Sequence, residues 1–140
     1  MNPTFIDTSH LLALVLKDDA FHERAKEWDR AIVSPLVTTE YVLVEFADAL
    51  AKTPLRTVTH QTILVLRRNP RVTVVPGSSN LIDRGLDLYS ARPDKQWSLT
   101  DCISFSVMQE NEASDALTAD RHFEQAGFRA LLRMPVESRP

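Results

Sequence analysis

Short apolar runs alternate along the chain with longer stretches in which apolar residues recur at every third or fourth position. The short runs, Thr4 to Ile6, Pro35 to Val37, Arg71 to Val75 and Ala116 to Thr118, with a fifth at Arg129 to Leu132, predict strands. The longer stretches, His10 to Leu16, Phe21 to Ile32, Thr39 to Lys52 and Leu55 to Arg68, have helical spacing. A further helix follows the turn Pro76-Gly77-Ser78-Ser79, an apolar one covers Trp97 to Met108, and a short one runs from Arg121 to Ala126, where Gly127 is placed to close it. Thr53-Pro54 separates the third helix from the fourth, and Asn69-Pro70 ends the fourth. Parallel strands need crossover connections, which helices supply. The pattern therefore predicts an α/β fold: a three-layer α/β/α sandwich with a mostly parallel central sheet of four to five strands.

No repeat, linker or low-complexity tract interrupts this pattern, so a single domain over residues 1–136 is expected, with 137–140 as a frayed tail. The 44% hydrophobic content is enough for a core without disulfides, and the single cysteine, Cys102, excludes an internal one. No stretch approaches a membrane span and the start lacks the features of a leader, so the expected setting is soluble and cytoplasmic. A formal net charge of −3 argues against a nucleic-acid binder held by bulk charge.

Four acidic residues stand at informative places. Asp7 directly follows the first strand and Asp120 follows the fourth, the ends at which open α/β sheets keep their ligand crevice. Each equally suits an N-cap for the next helix. Asp101 stands three residues after Ser98, at capping-box spacing, in the first turn of the nearly uncharged Trp97 helix. Glu45 lies inside the third helix with an apolar flank, and Glu40 and Asp48 compete with it; spacing does not choose among them. Carboxylates gathered in one crevice repel unless a cation sits among them, and hard oxygen ligands select Mg²⁺ or Mn²⁺.

The segments Phe5-Ile6-Asp7-Thr8-Ser9, Thr38-Thr39-Glu40-Tyr41-Val42-Leu43-Val44-Glu45, Trp97-Ser98-Leu99-Thr100-Asp101-Cys102-Ile103-Ser104-Phe105 and Leu117 to Phe128 resemble, in order and separation, the motifs of the PIN-domain family, and in particular its VapC-type toxins. The resemblance implies a PIN fold and a metal-dependent endoribonuclease, the toxin of a toxin-antitoxin pair. It further implies Asp7 and Asp101 as principal ligands of Mg²⁺ or Mn²⁺, Asp120 and Glu45 completing the site, RNA as substrate, a small antitoxin as partner and a homodimer. It favours Glu45 over Glu40. Thr8 and Thr118 are candidate supporting hydroxyls, or simply satisfy nearby backbone.

Arg92 and Lys95, ahead of the Trp97 motif, and Arg121, beside Asp120, are candidate phosphate contacts; a solvated loop is the plainer alternative. Arg67, Arg68 and Arg71 suit a helix C-terminus. Cys102 reads as a small buried hydrophobe, and His10, His22, His60 and His122, which lack zinc-site spacing, as surface or boundary residues. A phosphatase of the Asp-x-Asp type is excluded by Ser9, and three glycines leave no phosphate-binding loop. The remaining rival is a PIN-like module that binds RNA or protein without cutting.

Overall fold

A computed structural model describes residues 1–136; the expected tail at 137–140 lies outside the described residues. The chain runs β1 (Thr4–Ile6), α1 (Thr8–Val15), α2 (His22–Ala31), β2 (Leu36–Thr39), α3 (Glu40–Ala49), α4 (Arg56–Arg68), β3 (Val72–Val75), α5 (Ser79–Ala91), α6 (Leu99–Glu110), β4 (Asp115–Leu117), α7 (Arg121–Gln125) and β5 (Arg129–Ala130), then a 3₁₀ turn at Leu131–Arg133. All strands are parallel, in the order β3-β2-β1-β4-β5. The sheet is thus built outward in both directions from β1, and Phe5 pairs with Val37 on one side and Ala116 on the other. The order reverses at β1 and β4, so the crevice of such a sheet opens beyond their carboxyl ends.

β1 is buried at every position, as expected of a central strand covered on both faces, whereas the edge strand β3 is half exposed. Phe5, Trp97, Phe105, Phe123 and Phe128 form a chain of ring contacts that joins β1, α6 and α7, with Phe105 edge-on to Trp97 and to Phe123. This packing fixes α6 and α7 against the sheet and with them Asp101 and Asp120.

Several boundaries differ from the sequence pattern. α1 begins at Thr8 rather than His10 because Asp7 caps it. α3 begins at Glu40, with Thr39 as its cap, and ends at Ala49 rather than Lys52. β2 runs to Thr39, and β5 is only two residues long. After β5 the 3₁₀ turn delivers both Leu131 and Leu132 to the core, which an extended strand, alternating faces, would not do. His10, expected at the surface or a boundary, is 1% exposed, its Nε2 held 3.2 Å from Asp29. Gly127 has a φ of 95°, the left-handed backbone that suits glycine after a helix.

α5 and α6 pack closely at Gly85, where an added Cβ would lie 2.5 Å from Ile103 Cγ1. Ile103 is itself buried, so it has little room to move. Gly85→Ala should therefore destabilise the protein by about 1–2 kcal/mol in urea unfolding, since overpacking outweighs the gain in helix propensity. A more stable variant would show that the two helices separate freely.

Candidate metal centre

The end of β1 hands the chain to α1 through Asp7, which is 5% exposed. Its Oδ2 accepts from Thr118 Oγ1 at 2.8 Å, Ser9 Oγ at 3.0 Å and, more weakly, Ser9 N at 3.4 Å. Burial pushes the Asp7 carboxyl up to about 7, and the charge of Asp101 adds to the rise, while the bonds from Thr118 and Ser9 oppose it. Thr118 ties the two strand ends together: besides donating to Asp7, its Oγ1 accepts from Asp120 N at 3.0 Å.

Asp101 occupies the third position of α6 and completes a capping box with Ser98. Its Oδ2 accepts from Ser98 N and from the His122 ring, each at 3.1 Å. Burial, and then the charge of Asp120, raise its carboxyl above the ordinary range, against the pull of Ser98 and His122. Asp120 caps α7, with Oδ1 accepting from His122 N at 2.8 Å. The capping roles and the crevice positions therefore coexist in the same side chains. Ligand atoms of Asp101, Asp120 and His122 lie within 4.8 Å of one another.

Glu45 reaches the same place from α3, where its Oε1 accepts from Thr8 Oγ1 at 2.5 Å. Its rivals do not. Glu40 accepts from Gly77 N and faces Arg67, and Asp48 lines a different hollow between α3 and α4. Asp7, Thr8, Glu45, Asp101 and Asp120 thus line one cleft of about 380 Å³, with Thr118 directly behind Asp7. Among the described residues, no Lys or Arg lines that cleft. Four carboxylates with no Lys or Arg beside them among the described residues fit a hard divalent ion, which would offset the buried charge and the mutual repulsion that adds to the rise at Asp7 and Asp101.

Arg92 and Lys95 stand apart, in an adjoining hollow of about 920 Å³ that shares only Gln96 and Ser98 with the cleft. There Arg92 makes a two-pronged bond with Asp94, and both cations lie over the Trp97 ring. Arg121 pairs with Glu124 and opens onto another hollow. Cys102 is fully buried, and burial raises its thiol further, consistent with packing and not with nucleophilic chemistry. Two contributors were missed in the sequence. Ser9 bonds Asp7, Thr118 and the Ala119 N–H; its place two residues after a capping Asp is the only local hint. His122, assigned to the surface or a boundary, bridges Asp101 and Asp120 from the first turn of α7.

A family model described as PIN domain matches residues 4–129. Among solved structures, the chain is similar to VapC20 of Mycobacterium tuberculosis, a sarcin-ricin loop cleaving toxin, at 24% identity and a TM-score of 0.83, covering 91% of this chain and 97% of that one. A toxin-antitoxin complex from Klebsiella pneumoniae matches at 15% identity and a TM-score of 0.59, covering 84% of this chain and 87% of the other. FitAcB from Neisseria gonorrhoeae matches at 13% identity and a TM-score of 0.66, covering 91% and 97%. No curated protein matches the sequence.

Proposed function

The chain belongs to the PIN-domain family, and from that membership we propose that it is a divalent-metal-dependent endoribonuclease, the toxin of a toxin-antitoxin pair. The observation that carries this reading is a cleft lined by Asp7, Glu45, Asp101 and Asp120 with no Lys or Arg beside them among the described residues. Asp7 and Asp101 would be the principal ligands of Mg²⁺ or Mn²⁺, with Asp120 and Glu45 completing the set directly or through water. Bound there, the ion would supply an activated water and offset charge developing on the scissile phosphate. Around it, Ser9 and Thr118 hold Asp7, Thr8 holds Glu45, and the His122 ring holds Asp101. These bonds fix the carboxylates in place, as ligand-supporting groups do at metal sites generally.

RNA is the proposed substrate because the chain belongs to the PIN-domain family and is similar in structure to VapC20, a sarcin-ricin loop cleaving toxin. A small antitoxin is the proposed partner by analogy with the Klebsiella complex. A homodimer, a cytoplasmic setting and a single domain over 1–136 complete the proposal; no helix among the described residues is long and apolar enough to cross a membrane. The competing reading is a PIN-like module that binds without cutting. Incubation of the purified protein with RNA in Mn²⁺ and in chelator separates them: cleavage confined to the metal arm is expected, and intact RNA in both arms would favour the silent module. Expression of the chain alone should slow bacterial growth and the Asp7→Asn form should not. Equal growth at equal protein levels would remove the toxin role and leave nuclease activity standing.

A further inference from the structure

A second charged concavity lies outside the acidic cleft. Arg24 of α2, Arg121 of α7 and Arg133 of the 3₁₀ turn line one hollow of about 400 Å³ together with Phe21 and Glu124. Three guanidiniums and one carboxylate give it a charge of 3 − 1 = +2, within a chain whose formal total is −3. Among the described residues only Arg121 has a carboxylate partner, Glu124 Oε1 at 3.4 Å. Arg24 Nη1 reaches the Leu132 carbonyl at 3.5 Å, and Arg133 donates Nε to the Ala119 carbonyl at 2.6 Å while lying over the Phe21 ring. Neither forms an ion pair among the described residues. Carbonyl and ring contacts position these two cations without neutralising them.

The hollow shares no lining residue with the acidic cleft, but the two meet along the chain at Asp120. Arg133 grips the carbonyl of Ala119, the residue before Asp120, and Arg121 is the residue after it. We infer that this hollow binds a backbone phosphate of the RNA strand, next to the phosphate positioned at the acidic cleft. The inference rests on the ribonuclease reading and states how that site holds its substrate. A chain with net charge −3 cannot hold RNA through bulk charge, so its cations must act locally. Guanidiniums present paired N–H donors that match phosphate oxygens. An RNA strand crossing the cleft carries a phosphate at each nucleotide, whereas an acidic protein segment would have to place a carboxylate there by design. Phosphate is therefore the occupant that the position beside Asp120 favours.

The test uses the full chain with Arg24→Gln and Arg24→Glu, and a single-stranded RNA with a non-cleavable linkage. Its affinity is measured by fluorescence anisotropy in Mg²⁺ across a salt series. Three contacts predict a slope of log K against log salt of about −2 for the unaltered chain, and loss of one lowers its magnitude by about 0.7. Arg24→Gln should then weaken binding about fivefold at ~0.1 M salt, the same 0.7 read over one decade. Arg24→Glu should weaken it further yet raise Tm, because the new carboxylate joins two arginines. Mg²⁺ affinity by calorimetry should not move. Unchanged slope and affinity in both variants, while the unaltered chain cleaves RNA, would overturn the phosphate hollow and leave the ribonuclease reading intact. Unchanged RNA binding with loss of affinity for a purified protein partner would assign the hollow to that partner instead. Failure of the unaltered chain to bind or cleave any RNA would remove both readings.

Discussion

Asp101→Asn should reduce metal-dependent RNA cleavage by about three orders of magnitude while leaving the protein folded. Asparagine has nearly the same shape, and its carbonyl oxygen can still accept from Ser98 N and the His122 ring, so the start of α6 and the contact to α7 persist. What disappears is a full negative charge among hard ligands. If each ligand charge contributes several kcal/mol to holding the ion and offsetting charge in the transition state, about 4 kcal/mol corresponds to a loss near 10³. Asp7→Asn should behave alike, since Thr118 and Ser9 can go on donating to the remaining oxygen. Glu40→Gln is the matched control: Glu40 lies in the same helix as Glu45 but accepts from Gly77 N and faces Arg67, away from the cleft. It should cleave at the unaltered rate. Full turnover by Asp101→Asn, with unchanged Mn²⁺ affinity in calorimetry, would remove Asp101 from the ligand set.

In metal-free protein, Asp7→Asn should be more stable than the unaltered chain at pH 8 and equally stable at about pH 3. The Asp7 carboxyl is pushed from an ordinary value of 3.8 up to about 7 in the fold. A carboxyl with a raised folded-state pKa holds its proton more tightly when folded, so protonation favours the folded state. Below about pH 3 both states carry the proton and Asp7 imposes no penalty. Between pH 4 and 7 the unfolded chain ionises while the folded one cannot do so cheaply, and stability falls with each pH unit. Above 7 the loss levels off at roughly 4 kcal/mol, about three pKa units at 1.36 kcal/mol each. Asparagine carries no such penalty, which predicts a Tm advantage on the order of 10 °C at pH 8 in chelator. Mg²⁺ should narrow or reverse the gap, because it stabilises only the chain that binds it. For the same reason acid should weaken metal binding as protons compete for Asp7. A Tm difference that stays constant from pH 4 to pH 8 would show that the Asp7 carboxyl is not raised.

The two predictions differ in what each requires of the sequence. Asp7, Asp101 and Asp120 stand out by local pattern alone, at two strand ends and one capping box. Their electrostatic coupling does not. It arises because β1 lies between β2 and β4, which brings Thr118 against Asp7 across 111 positions of chain.

Local order was therefore determined by the sequence itself. Alternation of short apolar runs with helical spacing, the capping side chains of Asp7, Ser98 and Asp120, and Gly127 after α7 each depend on a few neighbouring residues and their backbone preferences. Spacing could not choose which acidic residue of α3 enters the cleft, although the family resemblance favoured Glu45; the tertiary structure decides it, since Glu40, Glu45 and Asp48 share a helix and are sorted by the position of Thr8, 37 residues before Glu45. Ser9 and His122 gave at most a local hint beside a capping Asp, because their distant partners, Thr118 and Asp101, are 109 and 21 residues away. The burial of His10 against Asp29, and the gathering of Arg24, Arg121 and Arg133 into one hollow, likewise follow from how distant elements pack. Periodicity specifies which face of an element is apolar; strand order and helix packing specify which faces meet, and a charged site forms where they do.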